Sequence, residues 1–82
     1  MPDTITSLKE ILADLFIKQD SDLTEETNLR EDLGADSLDE IETIMEIEEH
    51  FDIVIPDGRA ETCKTVADLV IMIDELKVSQ HG

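Results

Sequence analysis

A serine, a lone cysteine, a histidine and a set of spaced carboxylates are the side chains in this sequence whose types and positions could do chemistry. Ser37 stands in Asp36-Ser37-Leu38, after Leu33-Gly34-Ala35 and before an acidic helical segment. A hydroxyl at a helix start is displayed to solvent, and the dipole and free N–H groups there favour a phosphate. A serine in that place also serves as a plain helix cap, so its spacing by itself leaves both roles open. His50 lies more than three turns further along the helix at ~3.6 residues per turn. A Ser-His-Asp triad is therefore unsupported, and His50 reads as a surface residue. Cys63 is the single cysteine. It reads as a small buried apolar side chain rather than a nucleophile, and it has no partner for an internal disulfide. Asp20, Asp22, Thr24 and Glu31 fall at the first, third, fifth and twelfth places of an EF-hand loop. The sixth place holds Glu25, where that loop needs glycine for its turn. No metal site is expected beyond weak divalent binding by acidic clusters.

The elements that must position Ser37 are helical. Ile5, Leu8, Leu12, Leu15 and Phe16 recur at helical spacing, with Ile11 widening the stripe, and predict a helix over roughly Thr4 to Lys18. Ser7 and Glu10 have capping-box spacing, and Asp3 or Thr4 offers an alternative cap. A polar loop follows, Gln19 to Asp36, in which Leu23, Leu29 and Leu33 would pin irregular chain onto the core. At about 18 residues it is long for a compact domain, which is a mark of function or of disorder. The second helix is expected from Ser37 to Phe51, with Ser37 and Glu40 at capping-box spacing. Ile53-Val54-Ile55 before Pro56 forms an extended connection. A short helical turn over Asp57 to Glu61, loosened by Gly58, precedes a last helix from about Thr65 to Lys77. Thr65 and Asp68 cap it, and Val66, Leu69, Val70, Ile73 and Leu76 supply its buried stripe. The fold class is all-α: a single domain over 1–82, a small irregular four-helix bundle with three main helices, a short third one and a long first loop.

Winding the second helix at ~100° per residue separates three faces. Ile44, Ile47 and Phe51 form a core face. Leu38, Ile41 and Met45 form a second apolar stripe, roughly 120° away. Asp39, Glu42, Glu46 and Glu49 fill an acidic arc beside it. One apolar face needs only a core, whereas a second one bordered by carboxylates suits a partner helix bearing Lys or Arg. Packing of that stripe on the long loop or the short helix is the simpler alternative.

Composition narrows the partners. Of 82 residues, 22 are acidic and six basic, a net charge of −16. Such a surface repels nucleic acid and anionic lipid and attracts basic protein patches. With two phenylalanines as its only aromatics, the core must be aliphatic. No apolar run approaches the ~20 residues needed to cross a bilayer. The N-terminus lacks a signal-peptide pattern. Together with the single cysteine, this leads us to expect a soluble cytoplasmic monomer.

The stretch around Ser37 resembles the acyl carrier protein family. Asp32-Leu33-Gly34-Ala35-Asp36-Ser37-Leu38-Asp39 is followed by Glu42, Met45, Glu48 and Glu49, then Phe51-Asp52-Ile53 and Ile55-Pro56-Asp57, at that family's spacing and over nearly the whole chain. The resemblance implies a carrier with no catalytic activity of its own. It implies 4′-phosphopantetheine esterified to Ser37, acyl chains held as thioesters and tucked between the helices, and work in fatty acid or related synthesis. It also implies partners with basic docking patches, namely a phosphopantetheinyl transferase, acyl-chain synthases and acyltransferases. Asp36, Leu38, Asp39, Ile41, Glu42, Met45, Glu48 and Glu49 would receive them. Arg59, Gly58, Val54, His50 and Cys63 depart from the common family pattern. They leave open a specialised carrier for a modified-lipid or polyketide pathway. A protein of another class, an acidic scaffold that is never loaded, is the further alternative.

Overall fold

The computed structural model describes residues 3–16 and 23–81, which form four helices in the order α1 Thr4–Phe16, α2 Ser37–Phe51, α3 Asp57–Glu61 and α4 Val66–His81. This is the expected small helical bundle. The start of α1 is capped by Asp3, whose Oδ1 accepts the Thr6 N–H at 3.0 Å. Thr4 and Ser7, the other candidate caps, lie within the helix and are buried. The last two residues of the expected first helix, 17 and 18, lie outside the described residues.

Helices α1, α2 and α4 meet around an aliphatic core. Leu8 and Leu12 from α1, Ile47 from α2, and Val66, Leu69 and Ile73 from α4 are at most 1% exposed. Each such side chain contributes roughly 1.5–3 kcal/mol by leaving water, which is how a small chain with few aromatics holds together. At one edge Lys77 ties the three helices. Its Nζ donates to Thr4 Oγ1 at 3.1 Å and lies 5.5 Å from the centre of the Phe51 ring. The Thr4 hydroxyl in turn donates to Asp74 Oδ1.

The described part of the long connection is well tied. Leu23 and Leu29 are buried and Leu33 is half-buried, as their spacing suggested. Leu29 N–H donates to Lys64 C=O at 2.9 Å, and Asn28 bridges Thr65. Val66 and Ala67 at the start of α4 donate to the carbonyls of Thr27 and Glu25, at 3.0 and 2.9 Å. Thr65 and Asp68 form the expected cap, with Asp68 N–H donating to Thr65 Oγ1 and Thr65 N–H to Asp68 Oδ2, both at 3.2 Å.

Two boundaries differ from the sequence reading. Helix α4 runs on to His81 rather than stopping near Lys77. Its last turn is held from outside: the Gln80 side-chain amide makes two 2.8 Å bonds to the backbone of Val54, and His81 Nε2 pairs with the Asp52 carbonyl. A hydrophobic pattern cannot register such polar tertiary anchors. The second difference is the cap of α2, described below.

Candidate functional site

Ser37 reaches its position through a short, specified lead-in. Gly34 has φ +69°, a left-handed conformation that L side chains rarely adopt. The chain then turns back, and Ala35, buried, donates its N–H to the Leu29 carbonyl at 2.9 Å. Asp36 follows in extended conformation and is the N-cap of α2. Its Oδ1 accepts Asp39 N–H at 2.9 Å, and Asp39 Oδ2 accepts Asp36 N–H at 3.1 Å. The capping box is therefore Asp36 with Asp39, not Ser37 with Glu40 as the spacing suggested. Both pairs are three residues apart, and the shorter aspartates in the earlier register win.

This one-residue correction frees the serine. Ser37 is the first helical residue and is exposed. Its hydroxyl has no hydrogen-bond partner among the described residues, and neither do the backbone N–H groups of Ser37 and Leu38. Beside it opens a groove of about 550 Å³ between α2, α3 and the chain around Leu29. Ile41, Ile44, Met45, Ile55 and Leu69 contribute apolar lining, and Ser37, Arg30 and Glu40 belong to the same lining. An exposed hydroxyl, free N–H donors and an adjoining groove with an apolar side, Ile41, Ile44, Met45, Ile55 and Leu69, beside several charged residues, fit a phosphodiester-linked arm with an apolar cargo.

The three faces of α2 separate as the winding predicts. Ile47 is fully buried, with Ile44 and Phe51 half-buried beside it. Leu38, Ile41 and Met45 are 63, 56 and 58% exposed. Glu42, Glu46 and Glu49 are exposed next to them, and Asp39 is half-buried. The alternative that this stripe packs on the loop or on α3 is not what is found.

Two further residues of α2 have roles that its three faces do not show. Glu48 is half-buried, and its Oε2 accepts the Ile55 N–H at 2.8 Å. The carboxylate thus holds the lead-in to α3, so it is not free for the docking role that the family resemblance implied. Thr43 is buried on the core side, a site a polar residue would not suggest. Its hydroxyl is satisfied by donating to the Asp39 carbonyl at 2.8 Å, the local back-bond threonine makes within helices.

The other candidate chemistries find little support. His50 is exposed and packs edge-on against Phe51 with ring centres 4.9 Å apart. Cys63 lines the groove, half-buried, with its thiol 3.5 Å from the Arg59 carbonyl and 3.7 Å from Met72 Sδ. Burial, and secondarily the nearby Asp68, push its pKa up, so it stays a thiol and not a nucleophilic thiolate. Of the EF-hand spacing, Asp20 and Asp22 lie outside the described residues. Among the described residues no cluster of three metal-ligating side chains occurs, and no helix is long and apolar enough to cross a membrane.

With the site assembled, comparison with known proteins is informative. The family model described as phosphopantetheine attachment site matches residues 6–73. Acyl carrier proteins from three strains of Clostridium perfringens (SM101, ATCC 13124 and 13) are 48% identical over 68 residues, which covers 83% of this chain and 90% of theirs. The solution structure of holo acyl carrier protein from Geobacter metallireducens superimposes with a TM-score of 0.80 at 29% identity, covering 100% of this chain and 97% of that one. The fold is that of the small acyl carrier protein bundle. The chain belongs to the phosphopantetheine attachment-site family, within its acyl carrier protein branch. The general role of that family is to carry acyl chains on 4′-phosphopantetheine.

Proposed function

We propose that Ser37 is the attachment residue, and that the whole chain, 1–82, is one carrier domain without catalytic activity of its own. The observation that carries this reading is the freed serine. Because Asp36 caps α2, the Ser37 hydroxyl is exposed, with no bond among the described residues, and lines the groove. When bound, 4′-phosphopantetheine supplies a thiol on a long arm, on which acyl chains travel as thioesters. The protein's own part is to present that hydroxyl, to offer N–H donors beside it, and to shelter apolar cargo against Ile44, Ile55 and Leu69. None of these tasks requires a base next to Ser37, since the transferase that installs the arm supplies the chemistry.

We further infer that the loading transferase, synthases and acyltransferases dock on the exposed face of α2. Leu38, Ile41 and Met45 offer apolar contact, flanked by Glu42 and Glu49. A basic rim on the partner would be steered to it by a chain of net charge −16. Asp36, Asp39 and Glu48 belong to this surface mainly as its scaffold, because their carboxylates are already bonded to backbone N–H groups. A cytoplasmic, monomeric carrier fits this picture.

The test is intact-mass spectrometry after incubation with a phosphopantetheinyl transferase and coenzyme A. The wild-type chain should gain one phosphopantetheine mass, and Ser37→Ala should gain none while keeping its helical circular dichroism. A wild-type chain that stays unmodified would point to the unloaded scaffold. An adduct on Ser37→Ala would place the attachment elsewhere.

A further inference from the structure

We propose that Arg30 is a phosphate-binding residue for the prosthetic group carried on Ser37, an inference that rests on the attachment reading above. Arg30 and Ser37 line the same groove, and Arg30 is the one cation among its lining residues. Its backbone is fixed, with its N–H donating to Asn28 Oδ1 at 2.9 Å, next to Leu29, which is buried and bonded to Lys64. Its side chain reaches α2. Nε bonds Glu40 Oε1 at 2.5 Å, and Nη2 lies 3.3 Å from Glu40 Oε2. Glu40 follows Ser37 by three residues, so the two are neighbours on one helical face, roughly 5–6 Å apart at Cβ.

The guanidinium has donors to spare. It presents five N–H groups in a planar fork, and Glu40 engages Nε and one position on Nη2. The outer edge, Nη1 with the remaining Nη2 hydrogen, has no partner among the described residues. That edge matches the oxygens of a phosphate. Electrostatics argues the same way. A phosphodiester on Ser37 adds a negative charge beside Asp36, Asp39 and Glu40. The two aspartates are already turned onto backbone N–H groups, and Arg30 is what counters Glu40. The Arg30–Glu40 side chains are 69 and 35% exposed, and exposed pairs add little to stability. The guanidinium can therefore share itself between Glu40 and a phosphate oxygen with little loss to the fold.

The experiment compares wild type, Arg30→Gln and Arg30→Lys, each unloaded and loaded with phosphopantetheine, after peptide mass spectrometry has located the adduct. Loading should shift the Arg30 Nε–Hε resonance in wild type. The ³¹P resonance of the loaded protein should differ between wild type and Arg30→Gln, with Arg30→Lys between them, since it keeps the charge and loses the fork. Loading should also raise Tm less in Arg30→Gln than in wild type. That gap should close near 1 M salt, where screening acts within about 3 Å. A pair with Glu40 alone would lower Tm equally in loaded and unloaded protein and leave the ³¹P signal in place. That result, with the adduct on Ser37, overturns the role of Arg30 and leaves the attachment standing. An adduct absent from Ser37 overturns both. Should Arg30→Gln fail to fold, the wild-type and Arg30→Lys resonances decide the matter.

Discussion

Helices α2 and α4 begin with the same local chemistry. Each has a reciprocal cap three residues long, Asp36 with Asp39 and Thr65 with Asp68. Their surroundings differ. At α4 the next two N–H groups are taken by the carbonyls of Thr27 and Glu25, so the returning loop covers that start. At α2 the corresponding groups, on Ser37 and Leu38, have no partner among the described residues. The helix bodies diverge too: α4 buries Val66, Leu69, Met72, Ile73 and Leu76, whereas α2 buries only Thr43 and Ile47 outright. A capping motif makes a helix; what is left uncovered around it makes a site.

The sharpest way to break this comparison is to truncate the two sides of α2. Ile47→Ala removes a fully buried side chain and should lower stability by ~2–5 kcal/mol. Met45→Ala removes one that is 58% exposed and should leave the urea midpoint nearly unchanged. Affinity for the loading transferase should respond in the opposite order. If Met45→Ala unfolds the domain while Ile47→Ala is tolerated, the uncovered face of α2 has been assigned to the wrong side.

Much of this division is legible in the sequence, because it depends on period alone. The bounds of α2, its three faces, the short α3 and the Thr65–Asp68 cap all follow from spacing and local side-chain chemistry. What failed were choices settled at a distance or by one residue of register. Asp36-Ser37-Leu38-Asp39-Glu40 contains two overlapping candidate boxes, and periodicity does not rank them. On a helical wheel Glu48 falls between Ile41 and Ile44, away from the acidic arc, but only the fold shows that the N–H of Ile55, seven residues on, claims its carboxylate. The last turn of α4 depends on Gln80 and His81 meeting Val54 and Asp52, more than two dozen residues earlier, which no local window detects. Nothing local marks Arg30, because its partner Glu40 is ten residues on and reaches it only through the fold.

A smaller effect tests whether the serine is a cap after all. Thr65→Ala takes away an oxygen that accepts the Asp68 N–H and should cost about 1 kcal/mol, the usual loss at an N-cap. Amide exchange at Val66 and Ala67 should quicken as the covering loop loosens. Ser37→Ala removes no cap, since Asp36 does that work, and should cost distinctly less in the unloaded protein. Equal costs in parallel thermal melts would mean that Ser37 shares the capping of α2, and the contrast between the two helix starts would shrink.

The smallest effect concerns protons. At the α4 start the N–H groups of Lys64 and Thr65 bond the Asp68 carboxylate and hold its pKa below the usual 3.8. A carboxylate whose pKa is depressed by folding contributes stability at pH values above its unfolded pKa. That contribution fades as pH falls through the lower, folded value. The Tm difference between wild type and Asp68→Asn should therefore be level from neutral pH down to about 4 and shrink in more acid solution. Asparagine keeps an acceptor oxygen and Asp68 is only half-buried, so the difference should be modest even at its plateau. Removing one negative charge from a chain of net −16 also relieves general repulsion, which would blur the comparison. Working near 1 M salt, where the Debye length is about 3 Å, suppresses that background and leaves the short contacts of Asp68 in place. A Tm difference that stays constant through pH 3 would show that those N–H bonds do not favour the ionised carboxylate, and that the α4 start is held by Thr65 and the covering loop alone.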